Sequence, residues 1–382
     1  MLTGLLSAWA WLNHHALAIF GAGLVVVALF NLWQWRADRA RALQIRARPI
    51  APIHLKATPR VTILAAAWNE AGHIAAHLQS VCALRYPNKE YILCAGGPDG
   101  TYALACRQAA DWMKVLEQQP GEGKQRALRR CWMHATGEVV FLTDTDCMMN
   151  NDAFVRTLAP VINNEAEAAT GRFAPLAEQQ THPFARMQWC VDNYGRTFSG
   201  PYIEGLIGRN AALTRRVIEQ TGGFSADVLI GTDYYLARQV VAAGEQIRYV
   251  HASIIETQYA LSVRAYVRQQ SRWLRNILQH GAAFGAKTQA SSALRQCLLG
   301  AMLTVWLLVL PFTGSLSLSL WLSVVACGTF ARFRYIRFGE LTLGLPTDFR
   351  VYTLAPLYLL LDQFMLAYTL IEWRLPRLRW RW

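Results

Sequence analysis

Glu138-Val139-Val140-Phe141-Leu142-Thr143-Asp144-Thr145-Asp146 decides how this chain reads. The apolar run Glu138 to Leu142 has the length and β-branched or aromatic content of a buried strand. It ends in D-x-D, and two carboxylates at the end of a buried strand are costly unless they hold a cation. Alternate residues on an extended chain share a side, so Asp144 and Asp146 are expected to face the same way. Hard oxygen ligands suit Mg²⁺ or Mn²⁺, which also bridge phosphate oxygens. A loop or helix-cap pair is the other reading, and the position directly after a strand favours the cation.

Working outward, the same strand, loop, helix sequence recurs. Val61 to Ala67 is an apolar run ending in Trp68-Asn69-Glu70, and a helical pattern follows. Tyr91 to Ala95 is a second strand, broken by Gly96-Gly97-Pro98-Asp99-Gly100. Such repetition predicts an α/β sandwich with a mostly parallel sheet, whose ligands bind beyond the carboxyl ends of the strands. Asn69-Glu70, Gly96 to Thr101 and the D-x-D all fall at such ends. Gly121 to Leu128 is a glycine-flexible loop that carries Lys124 into a helix, within reach of phosphates or a donor sugar. It lacks the spacing and the Ser/Thr of a P-loop. Asp233 opens a helical run, where the helix dipole tolerates a carboxylate, and it reads either as a cap or as a general base.

Farther along stands Gln269-Gln270-Ser271-Arg272-Trp273. Gln269, Arg272 and Trp273 are at i, i+3 and i+4, on one helical face. Arg272 can neutralise a diphosphate, and Trp273 can stack on a sugar or cap a lipid interface. An interfacial Arg-Trp belt accounts for Trp273 but not for its spacing to Gln269. The two motifs together describe a site for a metal-bound nucleotide diphosphate next to a membrane.

The chain of 382 residues is 53% hydrophobic, high for a soluble enzyme and low for one wholly in membrane. The apolar stretches gather at both ends. Residues 16–35 can span a bilayer, and Arg36, Arg39, Arg41, Arg46 and Arg48 follow. A signal peptide carries its charge before the apolar run, so this predicts an uncleaved anchor with an outside N-terminus. Residues 297–313 and 316–330 read as two spans joined by a tight turn at Pro311 to Ser315, and residues 351–372 as another, with Asp362 inside it. Four spans would leave Arg374, Arg377, Arg379 and Arg381 outside, against the charge rule, so one stretch is expected to be re-entrant or interfacial. The predicted division is an anchor with basic flank (1–48), a cytosolic catalytic domain (49–290) and a C-terminal membrane region (291–382). The flanking arginines account for most of the net charge of +13, and no nucleic-acid motif accompanies them. Eight cysteines without C-x-x-C read as buried, reduced thiols, which puts the catalytic part in a cytosol, with a bacterial inner membrane as the expected location.

In one order across residues 60–275, Ala67-Trp68-Asn69-Glu70, Pro98-Asp99-Gly100-Thr101, Gly123-Lys124, Asp144-Thr145-Asp146, Gly208-Arg209-Asn210, Gly222-Gly223-Phe224, Thr232-Asp233 and Gln269 to Trp273 resemble a membrane-bound family 2 glycosyltransferase. The Q-x-x-R-W element is similar to that of polysaccharide synthases and of ceramide glucosyltransferases. The resemblance implies a GT-A-like, Rossmann-type mixed sheet flanked by helices, and an inverting transferase. It implies nucleotide-sugar binding by Ala67, Asn69, Glu70, Asp99, Lys124 and Asp144, and Mg²⁺ or Mn²⁺ held by Asp144 and Asp146. It makes Asp233 the base for an acceptor hydroxyl, with Gln269, Arg272 and Trp273 closing the site. Two positions depart from the family pattern. Cys94-Ala95 stand where base-contacting Asp residues are usual, and Thr232-Asp233, followed by Tyr234-Tyr235, replaces the usual acidic pair. The expected partners are a nucleotide-diphosphate sugar donor, a lipid or glycan acceptor, and the membrane. A lipid acceptor, received near residues 265–285, fits the small membrane portion. The alternatives are a processive polysaccharide synthase and a catalytically silent scaffold, the latter disfavoured by retention of Asp144, Asp146, Asp233 and Arg272.

Overall fold

The computed structural model describes residues 2–375 except positions 226 and 229, so Arg377, Arg379 and Arg381 lie outside the described residues. Helices α1 (Leu2–His14) and α2 (Ala16–Ala47) lead in. Then β1 (Val61–Trp68), α3 (Ile74–Cys82), β2 (Lys89–Gly96), α4 (Thr101–Gln108), β3 (Met113–Glu117), α5 (Gly123–Trp132) and β4 (Val139–Leu142) alternate. They are followed by β5 (Cys147–Met148), α6 (Asn151–Ile162), β6 (Ala168–Pro175), α7 (Pro183–Thr197), β7 (Tyr202–Ile203) and β8 (Ala211–Thr214). After α8 (Arg215–Gln220), α9 (Thr232–Ala242) and β9 (Ile247–Thr257), four long helices complete the chain: α10 (Val263–Ala283), α11 (Lys287–Val309), α12 (Ser315–Leu343) and α13 (Phe349–Arg374).

One mixed sheet runs β3-β2-β1-β4-β8-β6-β9-β5, with β7 also on β9. The first four strands are parallel, β8 is antiparallel to both neighbours, and β6 and β9 are parallel. Strand periodicity explains the core. Val61, Ile63, Ala65 and Ala67 point to one face, with Phe141, Phe154 and Leu158, while Leu64 points to the other, with Leu128, Val140 and Val217. Because helices cover both faces, the parallel strands read as unbroken apolar runs.

Four helices are long and apolar enough to cross a membrane: α2, α11 with its 3-10 continuation to Phe312, α12 and α13. Their outer surfaces carry exposed apolar side chains such as Leu17, Val26, Leu308, Phe312 and Phe364, a belt that water would not tolerate on a monomer. Helix α11 starts before the predicted 297, at Lys287, and α12 continues past the predicted 330 to Leu343. The predicted turn is there, at Leu310 to Gly314. Helix α12 runs parallel to α2, and it is tied to α1 at its start and to α2 farther along. Asn13 accepts from the Leu316 amide at 3.0 Å, and Arg334 donates to Asp38 at 2.7 Å.

Helix α13 behaves differently. Tyr358 Oη donates to the Phe184 carbonyl of α7 at 3.2 Å, Tyr266 Oη of α10 donates to Asp362 at 2.5 Å, and Arg275 Nε of α10 is 3.2 Å from Glu372. Its length therefore leans on α7 and α10 of the sheet domain, while Leu366 and Leu359 meet α11 and α12 at Gly300 and Gly328.

The prediction of uniformly buried thiols needs correction. Cys82, Cys106 and Cys327 are exposed, each on the outer face of a helix, and all eight cysteines are free.

Candidate functional site

Three strand ends converge. After β1, Asn69 adopts a left-handed backbone (φ 60°), which asparagine tolerates better than most residues. Its amide donates to the Gly96 carbonyl at the end of β2 (3.1 Å), and a Cβ at Gly97 would overlap the Asn69 side chain. Asp99 braces the same region: one oxygen accepts from Ala71 N (3.0 Å), the other from Thr101 N (3.1 Å) and Thr101 Oγ1 (2.7 Å). Thr101 Oγ1 in turn accepts from Glu70 N at 2.8 Å. Asp99, expected as a nucleotide ligand, thus has both oxygens engaged in holding two loops together. Ala67 is wholly buried in the core, backbone included, so it shapes the site from beneath rather than facing it.

Asp144 and Asp146 do not lie on an extended strand as the sequence suggested. They sit in the turn between β4 and β5, where Cys147 N donates to Asp144 O at 3.2 Å. The turn is pinned from below by His77 of α3, whose ring nitrogens reach Cys147 O (2.6 Å) and Tyr91 Oη (2.9 Å). Burial depresses the His77 pKa and keeps it neutral. Both carboxylates lie near enough to Glu70 and Arg209 to act on them electrostatically.

Lys124, in the first turn of α5, is the centre of the cluster. Its Nζ donates to Asp144 Oδ1 at 2.7 Å and to Asp233 Oδ1 at 3.2 Å. Burial alone would lower its pKa, but Asp144 and Asp233 overcome that and raise it. Burial pushes Asp144 up, and Lys124, Arg209 and Arg272 outweigh it and hold the carboxyl at about 2. Asp233 lies in the first turn of α9, and the cap there is Gly231 rather than Asp233. Gly208 explains how close its carboxylate comes: a Cβ at 208 would overlap all three carboxyl atoms of Asp233.

Arg209 is the site residue that sequence reasoning passed over, although it stood inside the quoted Gly208-Arg209-Asn210. Its Nε is 3.9 Å from Asp144 Oδ2, Nη1 donates to Thr257 Oγ1 at 2.8 Å, and the guanidinium lies over the Phe173 ring at 5.1 Å. The Q-x-x-R-W helix closes the same side. Trp273 is half-buried against the cluster that holds Cys147, Phe173 and Tyr259, directly behind the D-x-D turn. Arg272 is exposed and reaches Asp144 electrostatically, and Gln269 is half-buried beside them.

Glu70 is raised to about 7, first by burial and then by Asp146, Asp144 and Asp99. Excess negative charge of this kind is what a cation relieves. Among the described residues, no three His, Cys, Asp or Glu side chains converge to form a metal site by themselves. Mg²⁺ commonly takes only one or two carboxylates, with substrate phosphates completing its shell, and Asp144 with Asp146 fits that mode.

Residues 59–276 match the family described as "Glycosyltransferase like family 2". The chain belongs to that family. Family members similar to it include "Probable glycosyltransferase YdaM" of Bacillus subtilis, 26% identical over 58% of this chain and 56% of its own length. Another is a "Beta-monoglucosyldiacylglycerol synthase" of Trichormus variabilis, 24% identical over 56% of this chain and 48% of its own length. The chain thus spans about half the length of these curated relatives. Among solved structures, a mannosyltransferase of Pyrobaculum calidifontis in complex with GDP-Man and Mn²⁺ superposes with a TM-score of 0.53 at 16% identity, over 94% of this chain and 99% of that one. That likeness bears out the GT-A-like fold. The chain accordingly combines a family 2 glycosyltransferase-like domain with helices able to cross a membrane.

Proposed function

We propose that the protein is a membrane-bound inverting glycosyltransferase that moves a sugar from a nucleotide-diphosphate sugar to a hydroxyl of a lipid or lipid-linked acceptor. The observation that carries the reading is the Asp144–Lys124–Asp233 bridge. It sets a carboxylate suited to the donor diphosphate and its metal one lysine away from a carboxylate suited to a base.

Asp144 and Asp146 would hold Mg²⁺ or Mn²⁺, which supplies charge neutralisation to the departing diphosphate. Lys124, Arg209 and Arg272 add three cations around the same negative charge. The donor lies over the ends of β1, β2 and β4, against Asn69 and Glu70. Asp233 accepts the proton of the acceptor hydroxyl as its oxygen attacks the anomeric carbon from the face opposite the leaving diphosphate. Direct displacement inverts that centre. Trp273 covers the sugar and excludes water.

The catalytic part, residues 49–290, faces the cytosol of a bacterial inner membrane, with residues 1–48 as anchor and 291–382 as membrane region. Helix α13 lies along the cytosolic face rather than crossing it, which resolves the charge conflict. The support is that Tyr358, Asp362 and Glu372, spread along its length, all bind sheet-domain helices. Three crossings, by α2, α11 and α12, then leave Arg374 on the cytosolic side.

The test is product analysis of full-length enzyme in nanodiscs, given a panel of labelled nucleotide sugars. Label that extracts into organic solvent, at one or a few sugars per lipid, supports the reading. A long water-soluble polymer made without added lipid would establish the synthase alternative, and no turnover of any donor would leave the scaffold.

A further inference from the structure

A cavity of about 420 Å³ lies where α7 and α10 meet α11, α12 and α13, within the usual size of small-molecule sites, about 300–1000 Å³. Its membrane side is apolar, with Leu299, Leu303, Val324, Leu359 and Leu366. Leu299 and Val324 are also exposed on the helix surface, so the cavity opens where lipid would be. Its inner end is polar, with Asp192, Gln270, Gln363, Tyr266, Arg332 and Asp362.

The polar end divides into spent and unspent groups. Arg332 is paired with Asp362, and Tyr266 donates to the same carboxylate. The side chains of Asp192, Gln270 and Gln363 make no hydrogen bond among the described residues. Asp192 and Gln270 are half-buried, and with Gln363 they leave a carboxylate and two amides open to one chamber, with hydrogen-bonding capacity to spare. Burial raises the Asp192 pKa even though the charges of Arg196, Arg209 and Arg332 bear on it. Arg209, whose charge bears on Asp192, also lies 3.9 Å from Asp144 in the donor cluster.

Helix α10 is the wall between the chamber and the donor cluster. Tyr266, Gln270 and Leu274, at i, i+4 and i+8, face the cavity, whereas Gln269, Arg272 and Trp273 form the motif face, offset by about 100° around the axis. A ligand in the cavity therefore meets the neighbours of the motif residues one position along the helix.

We infer that this cavity binds the hydroxyl-bearing head of an uncharged membrane lipid as the acceptor, with Asp192, Gln270 and Gln363 orienting its hydroxyls and the leucine side taking the start of its chains. The inference rests on the proposed lipid-directed transfer and names its substrate class. Amides and a carboxylate match hydroxyls, which donate and accept. A phosphate only accepts, and it would be enclosed beside Asp192 and Asp362 with the single lining cation already paired. Asp192 is thus a positioning residue for the acceptor, and the proton still goes to Asp233.

The experiment uses full-length enzyme in phosphatidylcholine nanodiscs doped with either diacylglycerol or a polyprenyl phosphate, and the labelled nucleotide sugar that the panel shows to be turned over. The expected result is label in diacylglycerol at least tenfold faster than in the phosphate. Asp192→Asn and Gln270→Leu should each raise the KM for diacylglycerol at least tenfold, with donor affinity by calorimetry unchanged, which also shows that the variants fold. Preferred labelling of the polyprenyl phosphate, or a wild-type acceptor KM in both variants, overturns the inference while leaving lipid-directed transfer standing. Donor consumption that yields polymer and no labelled lipid overturns the lipid reading as well.

Discussion

Replacing Gly208 by alanine tests the catalytic geometry without removing a charged group. Residue 208 has no positive φ, so alanine fits the backbone there and the perturbation is confined to the added methyl. That methyl would occupy the space of the Asp233 carboxyl. The carboxylate must move by about 1 Å or more, and its 3.2 Å bond to Lys124 Nζ is lost. A misplacement of about 1 Å costs on the order of 10²-fold in rate, or about 2.7 kcal/mol at 1.36 kcal/mol per decade. The surrounding packing can yield, so the stability cost should stay within about 1–3 kcal/mol. The assay is steady-state sugar transfer in nanodiscs beside calorimetric donor titration. We expect kcat to fall about 100-fold with donor affinity within about threefold of wild type. The double variant Gly208→Ala/Asp233→Asn should be no slower than Asp233→Asn alone, because both changes act on one group. A Gly208→Ala enzyme with full kcat, or losses that multiply in the double variant, would refute Asp233 as the base.

Asp146→Ala should abolish transfer by at least about 100-fold, the scale of losing a principal electrostatic stabiliser, and a chelator should do the same to wild type; wild-type rates in the variant would remove the metal assignment. Asp233→Asn keeps the shape of the side chain and should lose about 10²–10⁴-fold in rate with donor affinity intact, and a collapse of affinity would make it a donor-site residue. Glu70, raised to about 7, holds a proton in the folded state that the unfolded chain releases near 4.5. Stability of the metal-free enzyme should therefore fall as pH rises from about 4.5 through 7, and Glu70→Gln should flatten that fall in a thermal melt series. A reporter fused after residue 375 should read as cytosolic; an external signal would mean that α13 crosses the bilayer.

Much of the donor half was legible because its signals are local. The runs Val61 to Ala67, Tyr91 to Ala95 and Glu138 to Leu142 became β1, β2 and β4, and the loops after them carry Asn69, Asp99 and Asp144. Strand β3 was missed: it is five residues long, lies at the sheet edge and has Lys114 as its second residue. The antiparallel half was also hidden. Strand β6 contains Gly171 and ends in Pro175, residues that weaken a strand signal, and β8 has only four residues. The D-x-D was misread as extended because nothing local distinguishes a strand end from a turn pinned by His77. Arg209 escaped because its partners Asp144, Thr257 and Phe173 are distant along the chain. The cavity had no sequence signature at all, since five helices from separate segments line it.

The most consequential element is α10, because two demands meet in it. Its motif face must bring Trp273 and Arg272 to the D-x-D turn, and its next face must seat α11 and α13 through Leu274, Ile277 and Leu278. A helix is stiff over such a length, so the angle between the two faces is fixed by the 3.6-residue repeat rather than by a flexible linker. Ser271, buried between the two faces, donates to Glu372 of α13, so the last long helix is fastened to the motif itself. Asp362 and Glu372 of α13 are each paired with a residue of the sheet domain or of α12, as the proposed placement of α13 along the membrane face would require. Donor and acceptor would then approach the same helix from adjacent sides, and the reaction geometry would depend on residues 266–275 being helical without interruption.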